Sequence, residues 1–457
     1  MAMQHVLNRD VTSYRFDRDV LQKPGYLEQA TVVAATFTLA MGLPVDWFTT
    51  RAEVGAAEGN LKMVAVQLGL MLFGVLRIIG SLDAVIRVLK LEITIFLFTG
   101  LAMASLFWSA DIGETIRQSI VLMAIAFYGM YLIIRFELKE ILRLLSIMFT
   151  FGAVANLGMV LAFPQYAIIG DNWDGVFFQK NALGFLAAMA MPALIVAART
   201  TPRLRFVFYI AAVMHAILLV FSQSKTMLVA GFGSVCLLMV YRLFRGRKTL
   251  RGAVLTSLGG SFVFAVAFAT ANVALLAEWL DKDVTLTGRI PLWESLIPLA
   301  MESPLVGHGY RATFAGYFSP VHEIWIEFNW GPTHAHNALL HIWLELGLVG
   351  VALFCLSFFR AIKRSINVVN LVPDAVGLWP LTFLSTALLI SVSESGVTYS
   401  DISWLMYVVA VLAVSNWTKI RIILVDPEKM QQMEQMQDQL GLEPVLTEAD
   451  LVGSDIR

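Results

Sequence analysis

From residue 30 to residue 420 the chain repeats one pattern, apolar runs of roughly 20 residues broken by polar turns. A bilayer's hydrocarbon core is ~30 Å thick and is crossed by a helix of ~20 residues. In hydrocarbon a helix is the open-chain conformation that satisfies every backbone N–H and C=O internally. Such runs occur near 30–46, 62–79, 91–109, 118–135, 141–163, 181–198, 205–222, 225–244, 253–277, 337–359, 375–395 and 402–420. The expected fold is therefore all-α, a polytopic membrane protein of about 12 transmembrane helices. Charged residues make up 15% of the chain, against ~25% in soluble domains. A net charge of -1 offers no field for nucleic acid. Cys236 and Cys355 both lie inside apolar runs, which disfavours a disulfide framework.

Lysine and arginine orient such helices, because positively charged loops stay on the cytoplasmic side. With a cytoplasmic N-terminus, one face collects 25 of the 33 basic residues, including Arg77, Arg87, Lys90, Arg135, Lys139 and Arg143. The other face keeps Arg51, Lys62, Arg117, Lys180, Lys225, Lys282, Arg289 and Arg311. The expected organisation is a cytoplasmic tail over 1–29, helices 1–9 over 30–277, a long periplasmic loop over 278–336, helices 10–12 over 337–420, and an acidic cytoplasmic tail over 421–457. The first tail mixes charges of both signs without the short apolar core of a cleavable leader. In the last, Asp426, Pro427 and Gly441 bracket a short helix with Met430, Met433, Met436 and Leu440 on one face. The long loop is expected on the outer surface with short helices, one of them over 290–301 opening at Pro291.

Five of the seven histidines fall between His308 and His341, where a polar loop meets an apolar run, "GPTHAHNALLHIWLELGLVG". Hydrocarbon disfavours ionisable groups, so this crowding needs a cause. His336 precedes a helix start, whose partial positive charge disfavours imidazolium. A neutral imidazole is what a general base requires. Asn337, His341 and Glu345 share one helix face, with Glu345 ~12 Å further along the axis. An intramembrane carboxylate there is expected to face the bundle interior and a partner. His334 and His341 also read as interfacial polar residues without chemistry, and Glu345 as a structural anchor. "HEIWI" is not H-E-x-x-H and no cysteine pairs accompany it, so no metal and no other cofactor is expected.

Further cations project to the same face. "GDNWDGVFFQKNALGF" places Lys180 and Asn181 at the start of a span, "SQSKT" places Lys225 between two spans, and "TGRIPLWESLIPLAMESPLVGHGYR" carries Arg289 and Arg311. A single such cation is ordinarily a snorkelling surface charge. Several beside a histidine form an anion site at the lipid–water boundary. A pyrophosphate on a long lipid tail suits it: tail in the bilayer, phosphates among the cations, sugar in the aqueous cleft.

These stretches resemble the O-antigen ligase/polymerase (Wzy/WaaL) family. "HNALLHIWLELG" fits its H-N-x-x-L-x-x-x-x-E-x-G pattern, "TGRIPLWE…SPLVGHGY" is similar to the preceding loop segment, and "GVFFQKNALG" to an upstream signature of the exopolysaccharide polymerase branch. The resemblance implies a GT-C-like, metal-independent glycosyltransferase of the bacterial inner membrane, acting at the periplasmic face on undecaprenyl-pyrophosphate-linked oligosaccharide. It implies an acceptor glycan, membrane lipid and chain-length regulator or export proteins as partners, and no nucleic acid. His336 matches the motif histidine that activates the acceptor hydroxyl, and Arg289 the loop arginine that holds pyrophosphate. Lys225 stands where relatives commonly carry arginine, and its point charge cannot make a planar bidentate fork. Arg311, Asn337, His334 and Glu345 complete the candidate substrate-binding set with Lys180, Asn181 and Lys225.

The implied reaction displaces undecaprenyl pyrophosphate from the anomeric carbon, inverting it. A polymerase would use a second lipid-linked repeat as acceptor, and a ligase the sugars of a lipid A-core. Two other classes fit a polytopic chain: a transporter or flippase, and a non-catalytic envelope scaffold. A transporter would be expected to show internal repeats, and none is evident here.

Overall fold

Helix provides nearly all the regular structure, as hydrocarbon requires. The computed structural model describes residues 24–44, 47, 61–177, 179–243, 289–316, 319–328, 331–369, 375–392, 394–396 and 401–425. Within them run α1 (Tyr26–Met41), α2 (Leu61–Leu76), α3 (Leu82–Leu91), α4 (Ile93–Ala104), α5 (Ile112–Arg135), α6 (Leu138–Ala162), α7 (Lys180–Thr200), α8 (Arg205–Phe221), α9 (Lys225–Leu243), α10 (Arg289–Glu302), α11 (His322–Phe328), α12 (Ala338–Val368), α13 (Trp379–Ser391) and α14 (Ile402–Val425). A two-residue antiparallel pair, Ile168–Ile169 with Asn172–Trp173, turns the chain between α6 and α7.

Six of these segments are long and apolar enough to cross a membrane: α5, α6, α7, α8 with its lead-in from Pro202, α9 and α12. Shorter apolar helices occupy 64–76, 93–107, 375–391 and 402–416. The expected run near 30–46 meets α1. The run at 253–277 and the C-terminal helix over 426–441 lie outside the described residues. Thus the helical membrane character is clear, and the expected total of 12 is not reached among the described residues.

Two packing rules build the bundle. Lipid tails are as apolar as leucine, so helices associate where small residues let backbones approach. In α7 the run Ala187–Ala188 and Ala197–Ala198 is fully buried, and Gly231 of α9 sits so close that a Cβ there would lie 3.3 Å from the Ala188 Cα. The second element is α14, buried from Ser403 to Asn416, against α5 and α12. Gly129 of α5 meets it, where a Cβ would fall 2.5 Å from Val408. At one end of the bundle, Glu28 receives Arg135 at 2.8 Å, Tyr131 at 3.0 Å and Arg77 at 3.3 Å, joining α1, α5 and the turn after α2.

At the opposite end, α12 is broken at Gly347, whose φ of 67° is left-handed. The break lies ten residues after the Asn337 N-cap, so ~15 Å along the axis at 1.5 Å per residue. Backbone groups freed so deep need protein partners. Residues 304–309 supply them. Leu348 N–H donates to the Pro304 carbonyl at 2.9 Å and Val349 N–H to Leu305 at 3.2 Å. The vacated carbonyls of Leu344 and Glu345 accept from His308 at 2.8 Å and Gly309 at 2.9 Å. Part of the long loop therefore does not lie on the surface, as expected from its polarity, but is threaded beside α12. Helix α10, expected over 290–301, spans Arg289–Glu302.

Candidate active site

The first turns of α7 and α10, the approaches to α9 and α12, and the segment after α13 converge on one carboxylate, Glu394. Its Oε1 accepts from Arg289 Nη2 at 2.9 Å and from Asn181 Nδ2 at 3.1 Å. Its Oε2 lies 3.2 Å from His336 Nδ1. Asn181 is held in turn by Ser224 Oγ, which donates to its Oδ1 at 2.8 Å. Glu394 is 5% exposed and His336 7%, so these charge-assisted contacts act where water screens them little.

Local backbone aims the histidine. Asn337 caps α12 through its side chain, which accepts from Leu340 N–H at 3.0 Å while its amide donates to Val392 O at 3.2 Å. That second bond ties the helix start to the chain just before Glu394. His336 itself lies at φ 51°, a left-handed conformation costing a non-glycine residue ~1–2 kcal/mol. Its N–H donates to His334 Nδ1 at 3.2 Å, and the two rings sit 4.0 Å apart. Strain of this kind is retained where surrounding contacts over-determine it, often at functional sites.

His334 is the electrostatic complement. Burial holds its imidazole well below the ordinary histidine value, reinforced by the neighbouring His336, His341, Arg311 and Arg289. The unfolded chain takes up this proton near pH 6.5 and the folded protein only at lower pH. Stability contributed by neutral His334 is therefore present above about pH 6.5 and is lost as pH falls through the folded value. Thermal midpoints measured in nanodiscs from pH 7.5 to 5 should fall on acidification, and His334→Gln should flatten that slope. An equal slope in the variant would reject the assignment.

The expected site residues divide. His336, Arg289 and Asn181 form the hydrogen-bonded cluster, with Asn337 one residue behind. His334 lies 3.8 Å from Glu394, too long for a hydrogen bond. Arg311, at φ 63°, acts on His334 through its charge. Lys180 instead reaches Asn172 Oδ1 at 3.3 Å, and Lys225 is exposed at the start of α9. Glu345 faces inward as expected, and its partner is His341, at 3.1 Å. That pair lies deeper, beside the α12 break. The residue that sequence reasoning missed is Glu394. It sits near the end of the apolar run 375–395, so the rule that singled out Glu345 would have found it.

One donor from each of His334, His336 and Glu394 lies within 4.8 Å of the others, close enough to hold a metal ion. The Arg289 guanidinium already stands on the same carboxylate at 2.9 Å, a fixed cation in the position where a divalent ion would repel it.

Comparison with known proteins agrees with this architecture. Residues 210–355, from α8 to the middle of α12, match the O-antigen ligase family model. The chain is 27% identical over 384 residues to the exopolysaccharide production protein ExoQ of Rhizobium meliloti (strain 1021), covering 77% of this chain and 81% of that protein. A Rickettsia conorii protein whose name is that of a polysaccharide ligase is 25% identical over 146 residues, 31% of this chain and 35% of its own length. A similarly named Rickettsia bellii protein is 28% identical over 117 residues, 24% and 28% of the two chains. These similarities relate the chain to ExoQ-like proteins of the O-antigen ligase/polymerase kind, and its long apolar helices fit a membrane protein.

Proposed function

We propose that this chain is an inverting, metal-independent glycosyltransferase that moves glycan from a polyprenyl pyrophosphate carrier to an acceptor sugar hydroxyl, acting as a polysaccharide polymerase. The observation that carries the reading is the Arg289–Glu394–His336 arrangement: a base, the carboxylate that orients it, and a cation at the same point. With Nδ1 turned to Glu394, Nε2 is the nitrogen that takes the acceptor's proton. The acceptor oxygen forms its bond to the anomeric carbon from the face opposite the leaving group. The bond from that carbon to the pyrophosphate oxygen breaks, its electron pair leaves on the pyrophosphate, and Arg289 stabilises that charge. His336 then passes its proton to water or to the departing phosphate.

The site's surroundings suit a lipid carrier. A groove of about 280 Å³ between α10 and α12 is lined by Trp293, Ile297, Leu340, Trp343 and Val351, reaching Asn337. Ile297, Leu339 and Leu348 along it are 46–47% exposed, as expected of a face bathed by acyl chains. A polyprenyl tail there would bring its pyrophosphate to the α10 N-terminus, where Arg289 and the helix dipole both favour an anion. The basic-residue asymmetry supports a periplasmic site in the inner membrane with cytoplasmic termini. It also supports the proposed organisation: tails over 1–29 and 421–457, helices over 30–277 and 337–420, and a periplasmic loop over 278–336 in a GT-C-like arrangement. The likeness of "GVFFQKNALG" to the exopolysaccharide polymerase branch favours polymerase over ligase, and the relative that covers most of both chains is named for exopolysaccharide production.

The test uses purified protein in nanodiscs with labelled polyprenyl-pyrophosphate oligosaccharide and EDTA. A ladder of lengthened glycans from wild type, absent in His336→Ala, is the expected result. One-step transfer to lipid A-core alone would identify a ligase. No transfer to either acceptor by folded protein would reject the enzyme reading in favour of transport.

A further inference from the structure

Glu394 also lines a second cavity, of about 250 Å³, which shares no lining residue with the α10–α12 groove and whose chemistry is different. The rings of Phe177 and Phe185 form apolar walls, while Gln179, Asn181, His334, Glu394 and Asp401 bring polar groups into it. Small-molecule sites usually span ~300–1,000 Å³, so this one admits a sugar residue rather than an oligosaccharide. Aromatic walls with a few placed amides and carboxylates match the two surfaces of a pyranose, a C–H face and a rim of hydroxyls.

Gln179 and Asp401 stand on this cavity outside the Arg289–Glu394–His336 cluster. Gln179 stands at the N-cap of α7 but its side chain makes no capping bond, and it is exposed. Asp401 lines the cavity while capping α14: its carboxylate accepts from Ser403 N–H at 2.7 Å and also from the Ser403 hydroxyl and the Trp404 N–H. Burial pushes its carboxyl up to about 6, so near neutrality it accepts hydrogen bonds. Gly396 keeps one wall open, because a Cβ there would lie 2.5 Å from the Phe185 ring.

We infer that this cavity binds the terminal sugar of the acceptor glycan, with Gln179 and Asp401 holding its hydroxyls and Phe177 and Phe185 flanking its apolar face. The inference rests on the glycosyl-transfer reading and assigns the second substrate within it. The donor is bound to lipid and pyrophosphate, which places it on the groove side with Arg289. The cavity reaches Glu394 from both oxygens, through Asn181 on Oε1 and His334 near Oε2. A sugar seated there would lie against Glu394, the carboxylate that orients His336, while the carrier approaches from the membrane. Gln179 and Asp401 would then select among acceptors by the positions of their hydroxyls.

The experiment measures transfer in nanodiscs with acceptor and donor varied separately, for wild type, Gln179→Ala, Phe177→Ala and Asp401→Asn. Asparagine keeps the helix cap, so the last variant tests recognition rather than folding. The expected result is an acceptor KM raised roughly tenfold, equivalent to ~1.4 kcal/mol, with donor KM unchanged. Unchanged acceptor KM, or a shift in donor KM instead, would overturn the inference and leave the glycosyl-transfer reading intact. If wild type transfers nothing, binding of the free repeat-unit oligosaccharide to His336→Ala protein, followed by saturation-transfer NMR, still decides the cavity's role. Loss of that binding on adding Gln179→Ala supports the site, and retention rejects it.

Discussion

Glu394→Gln is expected to lower kcat by roughly 10²–10⁴, the span of acid–base catalysis, while leaving donor KM within a few-fold of wild type. Glutamine is nearly isosteric and can still bond Asn181, but it carries no charge. It cannot stabilise the imidazolium that forms when His336 accepts a proton, and its amide can present a donor to Nδ1, fixing the wrong tautomer. The change also leaves the Arg289 guanidinium, 2.9 Å from Oε1, without its counter-charge. Removing one member of a buried pair typically costs ~3–5 kcal/mol, so thermal midpoints must be measured alongside rates. Glu394→Asp keeps the charge but withdraws it by one methylene, and should fall between. The double variant should lose about as much as His336→Ala alone, because groups acting as one unit are non-additive. A Glu394→Gln enzyme that is folded and within tenfold of wild-type kcat would remove the carboxylate from the mechanism.

The second large effect concerns the fold beneath the site. A Cβ at Gly347 would fall 2.0 Å from the carbonyl carbon of Leu305, and φ there is 67°. Gly347→Ala must therefore push residues 304–309 off α12. The Leu348 and Val349 N–H groups would lose their carbonyl partners, and those of Leu344 and Glu345 would lose their donors. Each buried unsatisfied group costs ~1–3 kcal/mol, so about 3–5 kcal/mol of destabilisation is expected even after partial repair. Gly307→Ala should do likewise, its Cβ falling 2.5 Å from the Glu345 carbonyl carbon. Both should appear as lower thermal midpoints and poor recovery of folded protein in detergent. The kcat of protein that remains folded tells the two roles apart: near wild type in Gly347→Ala, lowered by roughly 10²–10⁴ in Glu394→Gln. A Gly347→Ala protein with wild-type stability would show that the helix break is not held by the loop.

The apolar runs make the helices legible because hydrocarbon leaves no alternative conformation. Eleven of the helices found, α1, α2, α4 to α9 and α12 to α14, fall on runs expected from hydrophobic length alone. The α3 helix, Leu82–Leu91, was not anticipated, since ten amphipathic residues are too few to satisfy a span criterion. His336 and Arg289 were readable because each stands out against apolar or loop surroundings, and motif spacing places His336 beside the α12 cap. Lys180 and Lys225 were equally conspicuous, yet neither joins the hydrogen-bonded cluster: residue type marks a charged side chain, while its direction depends on helix rotation.

Hydrophobic length alone makes the helices and the membrane setting readable, and motif spacing points to the start of α12 as the candidate site. These properties depend on solvent and local pattern, which act over a few turns of chain. Only the tertiary structure decided which groups meet. Glu394 reaches His336 across 58 residues, Arg289 across 105 and Asn181 across 213. The helical period specifies the face a residue occupies but not the helix that will lie against it. That choice is made by close packing of small residues, by the α12 break and by the loop that fills it.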